Sequence, residues 1–410
     1  MELGRSKRNS FHITPQAGIL GGTYFFVTSL TIYTILAPLR MLELGFSMPQ
    51  IGGVVATAAL ISLLGQLPGG AFCDRCGQRL PLVLSFLSLC IVGIGLILSD
   101  TLLLFAISMA FRGLSGSFFW PAGQSYASLL DPNRAALILG RQTGAMAVAT
   151  ISGALLAGYV AAFFGFTQAF TLAIVFTVMG MILSYLTPKL KEEVDNKSNP
   201  SSFAVVFKNA LHMLTANRSL QLAVFCAFIA AIPIGLSGSF YPVYFVSLGY
   251  DERMVGILSA LLNLAVLVTG MAFGFLHKRF PFQLLVIASL LGMGFSMVFL
   301  AGGAELYLII PVIVLQGVAL GLAAVLRVSL ASECTAARQR GVAIGVVEMG
   351  FCVSLITIPL SFGFALARVD YSTVFLTLGA ILIFLSFIAG NVFRRPVANN
   401  PLAETMSKTE

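Results

Sequence analysis

From residue 17 to residue 393 the chain is a train of apolar runs, most of them close to twenty residues long, separated by short links that carry most of the charge. An α-helix rising about 1.5 Å per residue needs about 20 apolar residues to cross a hydrocarbon layer about 30 Å thick. The runs lack the strict alternation of a barrel strand, so helices are the spanning structure they suit. They place spans at 17–39, 49–72, 81–98, 101–130, 136–162, 168–187, 218–247, 254–276, 282–301, 305–332, 341–366 and 372–393. The expected fold class is an all-α membrane protein of twelve transmembrane helices. Composition agrees, with 58% hydrophobic and 10% charged residues against about half and about a quarter in a soluble domain. Pro38, Pro68, Pro121, Pro233, Pro242 and Pro359 fall inside the runs, which lipid-embedded bundles tolerate. The first run is too long for the core of a cleaved signal peptide and reads as a span.

Charge gives the expected orientation. With the N-terminal segment on one side, 19 of the 24 Lys and Arg fall in that segment, the even-numbered loops and the C-terminal segment. Only Arg40, Arg253 and Arg368 fall on the other side, while Arg112 and Arg327 lie within spans. Lys and Arg accumulate in cytoplasmic loops, so both termini are expected in the cytoplasm, and the alternation supports an even number of spans. A net charge of +8 could signal a nucleic-acid partner, but here the basic residues follow topology, and nucleic acid is rejected.

The two halves match at one offset of 204 residues. Pro38 pairs with Pro242, Leu44-Gly45 with Leu248-Gly249, Gly52 with Gly256, Gly70 with Gly274, Arg75 with Arg279, Gly113 with Gly317 and Arg134 with Arg338. Pro, Gly and loop Arg repeat by chance far less readily than Leu or Ala in such a composition. Two six-span bundles in one orientation follow, related by a pseudo-two-fold axis along the membrane normal, with the substrate site between them. The expected domains are an N-tail (1–16), a first bundle (17–187), a central loop (188–217), a second bundle (218–393) and a C-tail (394–410). Within the loop, Phe203, Val206, Phe207, Ala210, Leu211 and Leu214 share one helical face, which predicts an interfacial helix.

The loop after the second span reads Gly70-Ala71-Phe72-Cys73-Asp74-Arg75-Cys76-Gly77-Gln78-Arg79. It resembles the signature loop of the major facilitator superfamily, in place between spans two and three. The resemblance, nearest to the drug and metabolite efflux branch, extends to the twelve spans, the repeat and the central loop. It implies that Gly70, Asp74, Arg75, Gly77 and Arg79 form a cytoplasmic latch between the halves, with Gly70 permitting close helix packing. In the second half Lys278 and Pro281 replace the Asp and the Gly, so a symmetric latch is not expected. Arg112-Gly-Leu-Ser-Gly116 resembles the family's second motif, whose Arg is linked in proton-coupled exporters to the proton relay and the substrate site. Span five has Gly144, Gly153 and Gly158 but lacks the Gly-Pro pair usual in drug–proton antiporters.

Arg112 lies 12 residues in from Asp100, about 18 Å along the helix axis, near the bilayer centre. Charges at that depth are costly and face a partner or a wet cavity. Arg327 and Glu348 sit at similar depth on consecutive spans and are expected to pair, with Glu348 as a candidate proton site. The family's architecture implies a cavity lined by spans 1, 4, 7 and 10, which nominates Tyr24, Thr28, Thr31, Trp120, Gln124, Ser237, Tyr241 and Gln316 beside Arg112, Arg327 and Glu348. Asn263 on span eight is a further candidate.

These readings point to a secondary transporter of a small organic solute, expected to act in efflux as a proton-coupled antiporter. The alternatives are an uptake symporter or facilitator for a small organic anion, and a non-transporting receptor on the same scaffold. No enzyme is expected: His12, His212 and His277 lie outside the spans and no phosphate-binding loop occurs. Cys73 and Cys76 form a lone C-x-x-C without further ligands, so neither metal nor cofactor is expected. The remaining expectations are a lipid bilayer as medium, a monomer, and a bacterial inner membrane suggested by the compact loops.

Overall fold

The computed structural model describes residues 14–131, 134–188, 214–215, 218–303, 305–333 and 340–394. The proposed helix over 203–214 falls, but for its last residue, outside the described residues. The first half comprises α1 (Pro15–Glu43), α2 (Met48–Cys76), α3 (Arg79–Leu98), α4 (Leu102–Leu130), α5 (Ala135–Phe164) and α6 (Phe166–Leu186). The second comprises α7 (Arg218–Ser237), α8 (Phe240–Ser247), α9 (Glu252–Arg279), α10 (Phe282–Gly302), α11 (Leu306–Glu333), α12 (Arg340–Leu366) and α13 (Tyr371–Arg394). Among the described residues, eleven helices are each long and apolar enough to cross a bilayer, and the bent pair α7–α8 completes a twelfth span.

The repeat is written into the turns. Gly45 and Gly249 both take positive φ, +79° and +88°, a conformation glycine adopts without a Cβ penalty. Gly45 N–H donates to Leu42 O at 3.0 Å and Phe46 N–H to Met41 O at 3.1 Å. At the same 204-residue offset, Gly249 N–H donates to Val246 O at 2.9 Å and Tyr250 N–H to Phe245 O at 3.1 Å. The helices that follow start on equivalent residues. The Ser47 N–H donates to Gln50 Oε1 at 2.8 Å in a capping box, and Asp251 Oδ1 accepts from Met254 N–H at 3.0 Å. Both arrangements satisfy groups that helix ends leave open.

The seventh span departs from the sequence reading. One helix is expected over residues 218–247; instead the chain bends by 46° between α7 and α8. Pro242 has no N–H for the carbonyl of Gly238, and its ring crowds that carbonyl. Gly238 and Ser239 leave the helix here, with Ser239 Oγ donating to Gly235 O at 2.6 Å. In the equivalent span, α1 runs unbroken through Pro38, and the residue four before it is Thr34 instead of glycine.

Packing follows the repeat. In the first half α1 packs on α5 and α6, α2 on α4, and α3 on α4 and α6. In the second α7 packs on α12, α9 on α11, and α10 on α11 and α13. The first core centres on stacked Phe26 and Phe119, 3.8 Å apart, with Phe86 edge-on. The second gathers Tyr244, Phe362, Tyr371 and Phe375. Such offset and edge-to-face contacts add to plain burial.

The halves meet along two seams, α2 with α12 and α5 with α9. At the α5–α9 seam, a Cβ added to Gly158 would lie 2.8 Å from Gly256 Cα, and one added to Gly256 would lie 2.6 Å from Ala154 O. At the α2–α12 seam, a Cβ on Gly363 would lie 2.6 Å from Met48 O, and one on Gly52 would overlap Pro359 O. Only glycine permits such approach of backbones. Both seams close at the face bearing the α1–α2 and α5–α6 loops. Eighteen residues away on the same helix faces, about five turns, a Cβ added to Gly140, Gly274 or Gly70 would meet nothing within 4 Å. Contact between α2 and α12 continues as far as Gln66, whose Nε2 donates to Cys352 Sγ at 3.8 Å; beyond it the glycine positions are open, so the molecule is tight at one face and parted toward the end of the other.

Candidate functional site

A cavity of about 340 Å³ lies between the halves, below the glycine seams. Its first-half wall is built by Thr31 and Thr34 of α1 and by Arg112 and Trp120 of α4; its second-half wall by Tyr241 of α8 and by Ser259 and Asn263 of α9. Residues 204 apart face each other there: Thr31 and Gly235, Thr34 and Gly238, Val55 and Ser259, Ala59 and Asn263. Thr34 and Gly238 touch, since a Cβ on Gly238 would meet Thr34 Cγ2 at 3.0 Å. The pseudo-two-fold axis therefore passes through the cavity.

Arg112 donates from Nη2 to Thr34 Oγ1 at 2.6 Å. Its Nε is buried without a hydrogen-bond partner. The ion pairs found, Arg40–Glu43, Arg134–Asp131 and Arg253–Asp251, leave Arg112 without a carboxylate among the described residues. A guanidinium offers five donors in a fixed fork, and here most of that capacity is unused. Across the cavity the buried Gln316 donates from Nε2 to Tyr241 Oη, while its Oε1 has no partner. Asn263 Nδ2 donates to Ser259 O at 2.8 Å. Trp120 is held edge-on by Phe119 and Phe26, with ring centroids 5.3 Å and 6.1 Å away.

Of the residues nominated from sequence, Thr31, Arg112, Trp120, Ser237, Tyr241 and Asn263 line the cavity, while the buried Thr28 donates to Ala149 O at 3.4 Å and is not part of the lining. Gln316 stands behind Tyr241. Tyr24 packs against the first-half core with Phe25 edge-on at 5.6 Å, away from the cavity wall. Gln124 is exposed and lies outside the cavity lining. Glu348 is half-buried on α12, and the side chain of its nominated partner Arg327 lies outside the described residues. Thr34, Thr150 and Ser259 line the cavity although the sequence does not single them out. Thr34 is within reach of the sequence, because it follows Thr31 by three residues and shares its helix face.

At the latch sequence, Gly77 ends α2 with φ +73°, which accounts for a glycine there. Arg79 donates to Tyr185 O, and its guanidinium carbon stacks 4.3 Å from the centre of the Tyr185 ring, tying α3 to α6 within one half. Arg75 is exposed, and the Asp74 side chain lies outside the described residues. Among the described residues no ion pair joins Arg75 or Arg79 to the second half, as the parting of this face requires. Close helix packing belongs to Gly69, where a Cβ would overlap Ser117 O, and not to Gly70, which has open space beside it. The two residues differ by about 100° around the helix, and of the two Gly69 faces α4 in the state described.

The family model described as Major Facilitator Superfamily matches residues 19–232 and 223–408. Solute carrier family 22 member 18 of the mouse, Mus musculus, is 28% identical over 298 residues, covering 68% of this chain and 72% of the relative. An uncharacterised MFS-type transporter of Methanocaldococcus jannaschii is 21% identical over 356 residues, covering 83% and 90%. The crystal structure of nucleoside transporter NupG superposes with a TM-score of 0.79 at 12% identity, covering 93% of this chain and 99% of that one. A D-xylose-proton symporter superposes with a TM-score of 0.74 at 15% identity, covering 91% and 95%. With both halves matched and twelve spans in two pseudo-symmetric bundles, the chain belongs to the major facilitator superfamily and is a multi-pass integral membrane protein.

Proposed function

We propose that this protein is a secondary transporter that carries a small organic solute through the bilayer by alternating access around the central cavity. The observation that supports this most is the cavity itself. It holds a cation that no described carboxylate pairs, lies between two repeat-related bundles, and is sealed at one end by glycine contacts that have no counterpart at the other. Rocking the bundles about the pseudo-two-fold axis would open the seams and close the parted face. The distribution of Lys and Arg supports placing the parted face, with both termini, in the cytoplasm, so the state described is open inward. A bacterial inner membrane and a monomer are the setting proposed; one chain supplies every wall of the cavity.

Efflux is the proposed direction, on the resemblance of the α2–α3 loop and of Arg112-Gly-Leu-Ser-Gly116 to the efflux branch. Proton coupling is assigned to Glu348 with Arg327, consecutive in the fold and both costly within a membrane. The test is flux in proteoliposomes across a panel of labelled organic solutes, with and without an imposed pH gradient. Saturable flux above protein-free vesicles is expected for at least one solute, with Arg112→Ala abolishing it and Glu348→Gln removing its dependence on the gradient. No flux of any solute in either orientation of the gradient would sink the transport reading; gradient-driven flux surviving Glu348→Gln would sink the coupling site alone.

A further inference from the structure

The cavity carries one formal charge among its described lining residues, and that charge is the guanidinium of Arg112. Burying a cation without a counter-charge is costly. The sequence maintains it although the position equivalent to Arg112, 204 residues on, is the neutral Gln316. A structural role would be served by the hydrogen bond to Thr34, which an uncharged donor could also make. The unused donors and the unpartnered Nε fit a guanidinium that completes its coordination with a ligand.

We infer that the transported solute is a small organic monoanion, a carboxylate or sulfonate on an aromatic or apolar body, with its negative group on the Arg112 guanidinium, which Thr34 positions by accepting from Nη2 while its own hydroxyl donates to Leu30 O at 2.6 Å. This rests on the transport reading above and names the chemistry of its substrate. The planar fork of Arg matches a carboxylate in bidentate fashion. The rest of the cavity is suited to the body: Trp120 and Tyr241 present aromatic surface, and Val27, Leu30 and Leu262 present aliphatic surface. Asn263 supplies one amide from the second half. The volume of about 340 Å³ lies at the small end of ligand pockets, which favours a body of about one or two rings. The anion would sit where Thr34 touches Gly238, at the break between α7 and α8. Occupancy would thus bear on the one place where a span of the second half bends against the first.

The test uses the full-length protein purified in detergent and four probes of matched size: benzoate, benzenesulfonate, benzamide and benzylamine, with sodium chloride as an inorganic-anion arm. Benzoate and benzenesulfonate at about tenfold over their Kd are expected to raise the thermal midpoint by about 1–2 °C. Benzamide, benzylamine and chloride are expected to leave it unmoved. Arg112→Gln should erase the effect and Arg112→Lys should retain only part of it; should Arg112→Gln not fold, Thr34→Val provides a milder variant that keeps the charge and weakens both anions. Stabilisation by benzylamine or benzamide as strong as by the two anions would overturn the inference, as would chloride alone giving the full shift, or both anions giving none. Those outcomes would leave the transport reading standing wherever the proteoliposome panel still shows flux of a cationic or neutral solute.

Discussion

Arg112 and Gln316 occupy equivalent positions in the two halves, and each reaches the first span of its own half: Arg112 Nη2 donates to Thr34 Oγ1 at 2.6 Å, and Gln316 Nε2 donates to Tyr241 Oη. One scaffold contact has thus been kept twice with different chemistry. On one side a charged fork meets a hydroxyl on an unbroken helix; on the other a neutral amide meets a phenol on a helix that has bent. The cavity is symmetric in its frame and asymmetric in its charge.

Removing the phenol tests the neutral side. Tyr241→Phe would leave the buried Gln316 amide without its acceptor while keeping the aromatic wall. Hydrogen bonds between membrane helices contribute about 0.6–2 kcal/mol, so a fall in thermal midpoint of about 1–2 °C is expected in purified protein. The uncharged wall would survive, and flux should fall less than in Arg112→Ala.

The break in the seventh span can be tested by restoring its missing donor. Pro242→Ala would supply an N–H to Gly238 O and relieve the crowding that ends the helix. A straighter span is expected, and with it a fall in transport of about tenfold, equivalent to about 1.4 kcal/mol of added barrier. Spin-label distances across residues 230–246 would report the straightening independently of flux.

This span also marks where the sequence was legible and where it was not. The spans could be read because each apolar run must satisfy its own backbone inside lipid, and the repeat because Pro, Gly and Arg at one offset record shared turns. Gly45 and Gly249 are the clearest case: identical residues, identical hydrogen bonds. Pro38 and Pro242 matched equally well in sequence and diverged in structure, because the outcome depends on whether Thr34 or Gly238 lies one turn before. The site was legible where charge made it so, at Arg112. It was less so for Tyr24 and Gln124, whose side chains point to the first-half core and to the exposed surface; family architecture fixes which helix lines a cavity but not which face of it does. Thr34 and Ser259 carried no charge to single them out.

The glycine seam makes a sharper demand on size. Gly158→Leu would force a branched side chain into the Gly256 backbone. Overpacking of this kind costs about 1–3 kcal/mol, a shift of about 5- to 150-fold against the sealed arrangement. The expected result is a population moved toward the state open at the seam face. The readout is accessibility of a cysteine introduced at Thr31 to a membrane-impermeant thiol reagent added from that side. Gly144→Leu, on the open side of the same helix, should not change labelling in the state described.

Alternation of the two faces is most directly measured by paired distances in a cysteine-free background. One spin-label pair would sit at exposed Phe163 and Arg253, beside the α5–α9 seam, and the other at exposed Arg141 and Lys278, where the same helices diverge. Two populations are expected for each pair, with the short Phe163–Arg253 distance always accompanying the long Arg141–Lys278 distance, and solute redistributing both together. Two distances that lengthen and shorten in step, or a seam that stays closed through turnover, would contradict a cavity exposed to each face in turn.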